Sequence, residues 1–263
     1  MSIRIYTGPH ADGRRAPVSW QWVPWMLAGI TIGGQIIWLL APAARDALTI
    51  ITVITFALAS VTHAWLNRGA WWAAGYFAIA AGIGLAVEAI GVSTGIPFGQ
   101  YSYAGTLGPA LLGVPVLVPL AWAMMAYPCL LAARRLSSTR AGVTIIGAWL
   151  LASWDIFLDP QMVAEGHWAW ANPDPGLPGV PGIPLTNYLG WILTALLMMY
   201  LLDRLPPRTA PDGVPALMLA WVYFSNVLGN AVFFDRPWVA LWGGILMGIV
   251  VIPWAWVTWT TRP

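Results

Sequence analysis

Apolar residues run along this chain in blocks, each about as long as the roughly 20 residues that a helix needs to cross a 30 Å hydrocarbon core. The blocks fall near 22–41, 47–66, 70–91, 110–133, 141–158, 185–203, 214–234 and 237–258, with polar positions gathered in the stretches between them. The pattern predicts an all-α integral membrane protein of about eight transmembrane helices. Residues 1–20 read as a polar N-terminal tail, and residues 21–263 as a single polytopic transmembrane domain.

Composition agrees with the pattern, since 59% of residues are hydrophobic and 8% charged, against about a quarter charged in an ordinary soluble domain. No short apolar core ending in a small-residue cleavage site follows the tail, so it does not read as a secretory signal. All 12 basic residues are arginine. Ten of them (Arg4, Arg14, Arg15, Arg68, Arg134, Arg135, Arg140, Arg204, Arg208, Arg262) fall on one side of an eight-helix topology, and only Arg45 and Arg236 on the other. The positive-inside rule then places both termini in the cytoplasm and makes the chain a multi-pass protein of the cell membrane. The formal charge of +2 implies no nucleic-acid partner. With one cysteine, Cys129, and three scattered histidines, His10, His63 and His167, no metal site is expected.

The acidic residues distribute the other way, at or beyond the far ends of the helices. Glu88 and Asp155 lie inside apolar runs, where a carboxylate costs roughly 3 kcal/mol on insertion scales and marks a candidate functional site. In "SWDIFLDPQM" Asp155 and Asp159 stand at i and i+4 and share a helix face. Pro160 disfavours helical geometry at the residue before it, so the helix is expected to end there, leaving Asp159 the wetter of the two. Ion pairing with Arg45 or Arg236 is the competing structural account of these acids.

An internal repeat is legible. Glu88 precedes Gly99-Gln100-Tyr101-Ser102-Tyr103 by the same eleven residues that separate Asp155 from Gly166-His167-Trp168-Ala169-Trp170, and both copies continue to "GVP" and then "PL". The unit, helix then loop then helix, gives a parallel repeat (70–133 and 141–203) about an axis along the membrane normal. Glu88 and Asp155 become equivalent positions facing a shared centre. The loops are long and rich in Gly, Pro and aromatic residues, which favours a functional role over disorder, although an interfacial aromatic belt accounts for part of that content.

Unequally placed carboxyls are a means of obtaining one proton donor and one acceptor. With polar neighbours such as Gln100, His167 and Asn187, the chemistry available is acid–base work in an aromatic, apolar chamber. Protonation of an alkene gives a carbocation that aromatic faces stabilise and water quenches. Membrane lipid surrounds such a site, and a polyene or isoprenoid is the natural substrate.

The phrases "EAIGVSTGIPFGQYSY", "GVPVLVPLAW", "SWDIFLDPQM" and "HWAW…GIPLTNYLGW" together resemble the carotenoid biosynthesis protein family, over roughly 84–195. The resemblance implies a hydratase, a hydro-lyase without a cofactor, adding water to the terminal C-1,2 double bond of an acyclic carotenoid end, with other carotenoid biosynthesis enzymes as possible partners. On that reading Asp155 or Glu88 donates the proton, and Asp159 accepts one from water. Tyr101, Tyr103, Trp168 and Trp170 shape the end-group pocket, and Gln100, His167 and Asn187 bind within it. A proton-initiated carotenoid cyclase and a non-catalytic proton-coupled transporter or lipid carrier are the alternatives.

Overall fold

The computed structural model describes residues 20–260. The expected tail with Arg4, Arg14 and Arg15, and Arg262 at the other terminus, lie outside the described residues. Eight helices follow in order: α1 (Trp22–Leu40), α2 (Arg45–Arg68), α3 (Ala70–Thr94), α4 (Leu117–Leu136), α5 (Arg140–Ala164), α6 (Leu185–Leu202), α7 (Gly213–Leu228) and α8 (Pro237–Thr260). Counting the π-turn Gly229–Phe233 that prolongs α7, all eight are long and apolar enough to cross a membrane.

Four short strands occupy the loops at one end of the bundle: β1 (Tyr101–Tyr103), β2 (Ala110–Leu111), β3 (Val114–Pro115) and β4 (Trp168–Trp170). This end is called the strand end below, and the opposite one the termini end. The fourth span therefore begins at Leu117 and not near 110, because β2 and β3 pair as a tight hairpin. Leu112 and Gly113 turn that hairpin with φ of 53° and 81°. Pro119 then sits in the first turn of α4, where its missing N–H has no intrahelical acceptor to serve.

The fifth span departs from expectation more consequentially. Pro160 lies inside α5, which continues to Ala164. An interior proline removes one i→i−4 hydrogen bond, and in a membrane bundle the neighbouring helices hold the segment on both sides of that gap; α5 packs against α4, α6 and α8. Asp159 consequently stays within the helix and is 2% exposed, beside Asp155 at 0%. The expectation that the helix ends at Asp159 is overturned; both carboxyls are buried, with Asp159 marginally the more exposed.

Helix α4 is the axis of the bundle, packing on α2, α3, α5, α7 and α8. Most of its length is buried, including Trp122, Tyr127 and Cys129. The competing account, pairing of the intramembrane acids with arginine, does not hold among the described residues, because the strand-end arginines are engaged elsewhere. Arg45 donates to Glu165 at 3.2 Å, and Arg236 donates to Gln161 Oε1 at 2.9 Å. At the termini end Arg134 meets Asp203 at 2.8 Å. Arg68, 3% exposed, donates to Asp212 at 2.6 Å and to the Tyr127 hydroxyl at 2.9 Å. His63 packs there too, its Nδ1 2.9 Å from the same hydroxyl.

Arg68 thus joins α2 to α4 and to the start of α7 through one buried guanidinium. Arg68→Ala leaves the Tyr127 hydroxyl with His63 alone and the partly exposed Asp212 carboxylate without its cation, at a cost of about 2 kcal/mol. Thermal unfolding of the detergent-solubilised protein should show a lowered midpoint, with the strand-end site chemically unaltered.

Candidate active site

Helix α3 carries Glu88 and helix α5 carries Asp155 and Asp159, all within a few turns of the strand end. Between them lies a cavity with about 660 Å³ of empty space, part of it open to the outside. Of the residues expected at the site, Glu88, Asp159, Tyr101, Tyr103, Trp168, Trp170 and Asn187 line this cavity. Asp155 lies one helical turn behind Asp159 and reaches the site through Asn187.

Glu88 is held by three neutral donors. The Tyr101 and Tyr103 hydroxyls donate to Oε2 at 2.6 and 2.8 Å, and the Trp122 indole N–H donates to Oε1 at 3.2 Å. Burial, with Glu88 alongside, pushes both tyrosine hydroxyls above their ordinary range, so each keeps its proton and acts as a donor. The two aspartates are joined by one side chain. Asn187 Nδ2 donates to Asp155 Oδ2 at 2.9 Å and makes a short contact to Asp159 Oδ2. The Trp168 indole N–H donates to Asp159 Oδ1 at 3.2 Å, while Asp155 Oδ1 is buried with no hydrogen-bond partner among the described residues.

The aromatic donors are positioned by the pairing of β1 with β4. The strands run antiparallel with Tyr101 opposite Trp170, Ser102 opposite Ala169 and Tyr103 opposite Trp168. Side chains alternate across a strand, so the four aromatic residues share the cavity face, and Ser102 and Ala169 look outward and are exposed.

The same alternation removes two expected residues from the cavity. Gln100 and His167 each stand one position before their strand and therefore fall on its other face. Gln100 donates to the Thr94 carbonyl at the end of α3. His167 Nδ1 lies 2.7 Å from the Thr106 hydroxyl, and Nε2 lies 4.0 Å from Asp46. Burial holds this imidazole below its ordinary range, against the opposing pull of Asp46 and Glu165, and its contacts tie the loop after β1 to the tip of α2.

Among the cavity residues that the sequence reading did not single out are Trp122 and Trp191. Trp122 and Trp191 stack with ring centroids 3.8 Å apart and planes 19° apart, forming the cavity floor. Gly84 of α3 admits the Trp122 ring, because a Cβ there would come within 2.8 Å of it. The signal was present, since these tryptophans end the repeated phrases "PLAW" and "NYLGW".

An apolar eight-helix bundle with a carboxyl-lined chamber at one end defines a multi-pass membrane protein with an intramembrane polar site. Residues 47–253 match the family described as carotenoid biosynthesis protein, and the chain belongs to that family. It is also 31% identical, over 187 residues, to the bisanhydrobacterioruberin hydratase of Haloarcula japonica. The alignment covers 67% of this chain and 59% of that relative, so the chain spans less than two thirds of the relative's length. No solved structure matches the chain.

The Trp122–Trp191 stack is close enough for the two indoles to couple electronically. A difference near-ultraviolet circular dichroism spectrum, wild type minus Trp191→Phe, should contain a bisignate tryptophan couplet. The corresponding difference for Trp221→Phe, at an indole that bonds to Gln35 Oε1, should contain a single-signed band.

Proposed function

We propose that the protein is a cofactor-independent hydratase that adds water across the terminal C-1,2 double bond of an acyclic carotenoid end. The observation that carries the reading is the meeting of Glu88 and Asp159, with Asp155 behind, at one apolar cavity where every hydrogen-bond donor to them is neutral. Family membership and the hydratase relative support it at the level of reaction class.

Roles follow from the hydrogen bonds. Asp155 and Asp159 converge on one amide, a place for a single shared proton, because two full charges so close in an apolar wall repel. Asp159 faces the cavity and delivers that proton to C-2 of the end group, and Asp155 positions it through Asn187. The electron pair of the double bond forms the new C–H bond and leaves a tertiary cation at C-1. Faces of Trp122, Trp191 and Trp168 stabilise it. Water attacks C-1 and gives its proton to Glu88, whose three donors suit a carboxylate that accepts. Alkene and water become a tertiary alcohol, and proton return from Glu88 to the aspartate pair restores the site. This assignment makes Asp159 the donor and Glu88 the base, whereas the sequence-based expectation had Asp155 or Glu88 as donor and Asp159 as base.

The repeat belongs to the same reading. With equivalent positions 67 apart, pairing of Tyr101 with Trp170 maps onto pairing of Tyr103 with Trp168, as a local two-fold axis through Ser102 and Ala169 requires. Gly99 and Gly166, at matching positions, have φ of 90° and 74°. Trp122 and Asn187 each stand three residues after the proline of "PL", and each donates to the acid of its own copy, Glu88 or Asp155. The position of Asp159 is Val92 in the first copy, so the second acid is particular to the second. Arginine bias supports cytoplasmic termini, with the strand end on the opposite face.

Expression in a host that accumulates an acyclic carotenoid should yield products heavier by the mass of one water per hydrated end. Only isomers of unchanged mass would instead mean cyclisation and would refute the hydratase reading. Asp159→Asn and Glu88→Gln should each lower conversion by about a hundredfold or more with unchanged membrane insertion. Tyr101→Phe, which removes one donor to a charged acceptor, should cost about tenfold.

A further inference from the structure

The loop that leaves β1 supplies one side chain to the chamber. From Ala104 to Gly113 every residue is exposed except Leu107, which is 4% exposed and lines the chamber. An apolar side chain thus turns inward from an otherwise outward-facing run, and glycines flank it on both sides. Gly105 and Gly108 have φ of 77° and 84°, in the left-handed region that glycine enters most readily. A Cβ on either would meet no atom within 4 Å, so both ends of the segment have room to turn. Fully extended, Gly105 to Gly108 spans at most about 11 Å.

Backbone hydrogen bonds hold the flanks of this flap. Ala104 N donates to the His167 carbonyl at 2.9 Å, and Val116 N donates to the Pro109 carbonyl at 2.9 Å. Between those two points, what ties the flap to the body is two side chains: Leu107 in the chamber, and Thr106, whose hydroxyl lies 2.7 Å from His167 Nδ1. His167 is 1% exposed, and its Nε2 lies 4.0 Å from Asp46 on α2. One half of that hydrogen bond is therefore buried and fixed, and the other rides on an exposed segment between two glycines.

We propose that the Gly105–Gly108 flap is the gate through which the second substrate, water, enters the chamber, with Leu107 as its plug and the Thr106–His167 bond as its clasp. The inference rests on the hydratase reading for what the water does: it bonds through oxygen to C-1 and passes a proton to Glu88. A chamber walled by Leu117, Val118, Trp122 and Trp191 does not gather water unaided, since apolar cavities stay dry. The supply comes from the aqueous side, and the surroundings of the flap suit it. Asp46, which is 62% exposed, and the Arg45–Glu165 pair at 3.2 Å stand nearby. A polyene passing there would strip water from those charges, at a cost, whereas water crosses a polar rim freely. Access also decides the product. A cation at C-1 that meets water becomes an alcohol, and one denied water closes on a double bond of its own chain and loses a proton, or loses a proton directly, with mass unchanged.

The test uses full-length protein with Cys129→Ala, which removes the sole cysteine. In one arm, without carotenoid, Val118→Cys in the first turn of α4 reports on the chamber through its rate of reaction with 2-aminoethyl methanethiosulfonate. Leu107→Ala and Thr106→Val should each raise that rate tenfold or more, with unfolding midpoints near that of the parent. In the other arm, in liposomes containing lycopene, Thr106→Cys and His167→Cys replace the clasp by a disulfide whose formation is checked by mass. Oxidation should lower hydrated product tenfold or more and raise the share of isomers of unchanged mass, and dithiothreitol should restore hydration. Equal labelling rates in the parent, Leu107→Ala and Thr106→Val overturn the gate, as does undiminished hydration by the disulfide-closed protein; both leave the hydratase reading intact. Absence of hydrated product from the wild type as well is failure of that reading and takes the role of water with it, while the labelling rates, which need no carotenoid, tell this failure from that of the gate.

Discussion

Buried carboxyl groups with no cation beside them are the constraint around which the strand end is organised. Glu88, Asp155 and Asp159 are buried in apolar helices, and the arginines of that end bond to Glu165 and Gln161. Each buried carboxyl must then be met by neutral donors, since a buried polar group without a partner is costly. Helices alone supply Trp122 and Asn187. The remaining donors come from the loops, which is why two three-residue strands fold back over the bundle and carry Tyr101, Tyr103 and Trp168 to the acids. The β1–β4 pair is short, yet its register decides which side chains face the chamber.

Neutral donors also suit the chemistry better than a salt bridge would. A guanidinium at about 4 Å from a developing carbocation would raise its energy by roughly 4 kcal/mol at an effective dielectric constant of 20. Indole and phenol groups orient a carboxylate without that penalty, and their ring faces are themselves attractive to a cation. The same aromatic residues can therefore hold the base and shelter the intermediate, on the proposed reaction. This accounts for an aromatic shell where a soluble enzyme would often place arginine or lysine.

The sequence carried much of this site, and its failures have definite causes. Eight spans were legible because a bilayer leaves only long apolar helices as a solution. Glu88, Asp155 and Asp159 were legible because an acid in such a run is expensive. The start of α4 was misplaced because "PALLGVPV" is apolar enough to extend a helix, whereas Leu112 and Gly113 turn it into a hairpin. Pro160 was read through its local preference for ending a helix, and packing of α5 against three neighbours outweighed that preference. Gln100 and His167 were misjudged because strands too short to show periodicity hid the alternation that turns them away.

Trp122 and Trp191 show the complementary limit. Among 19 tryptophans, composition cannot separate a membrane-belt indole from one that donates to a buried acid, and only the three-dimensional partner decides it. The repeat, however, narrows the choice. If two copies of one helical hairpin meet about a local axis, then what serves Glu88 in one must have a counterpart serving Asp155 in the other, and Trp122 and Asn187 fulfil that relation with different chemistry. On the proposed repeat, the two matching positions carry different donors, an indole that offers a single N–H and an amide that offers two. The amide's second N–H is the one that reaches Asp159, so the asymmetry in donors and the extra acid belong together: a second carboxyl could be buried on α5 because the neighbouring helix had a second hydrogen to give it.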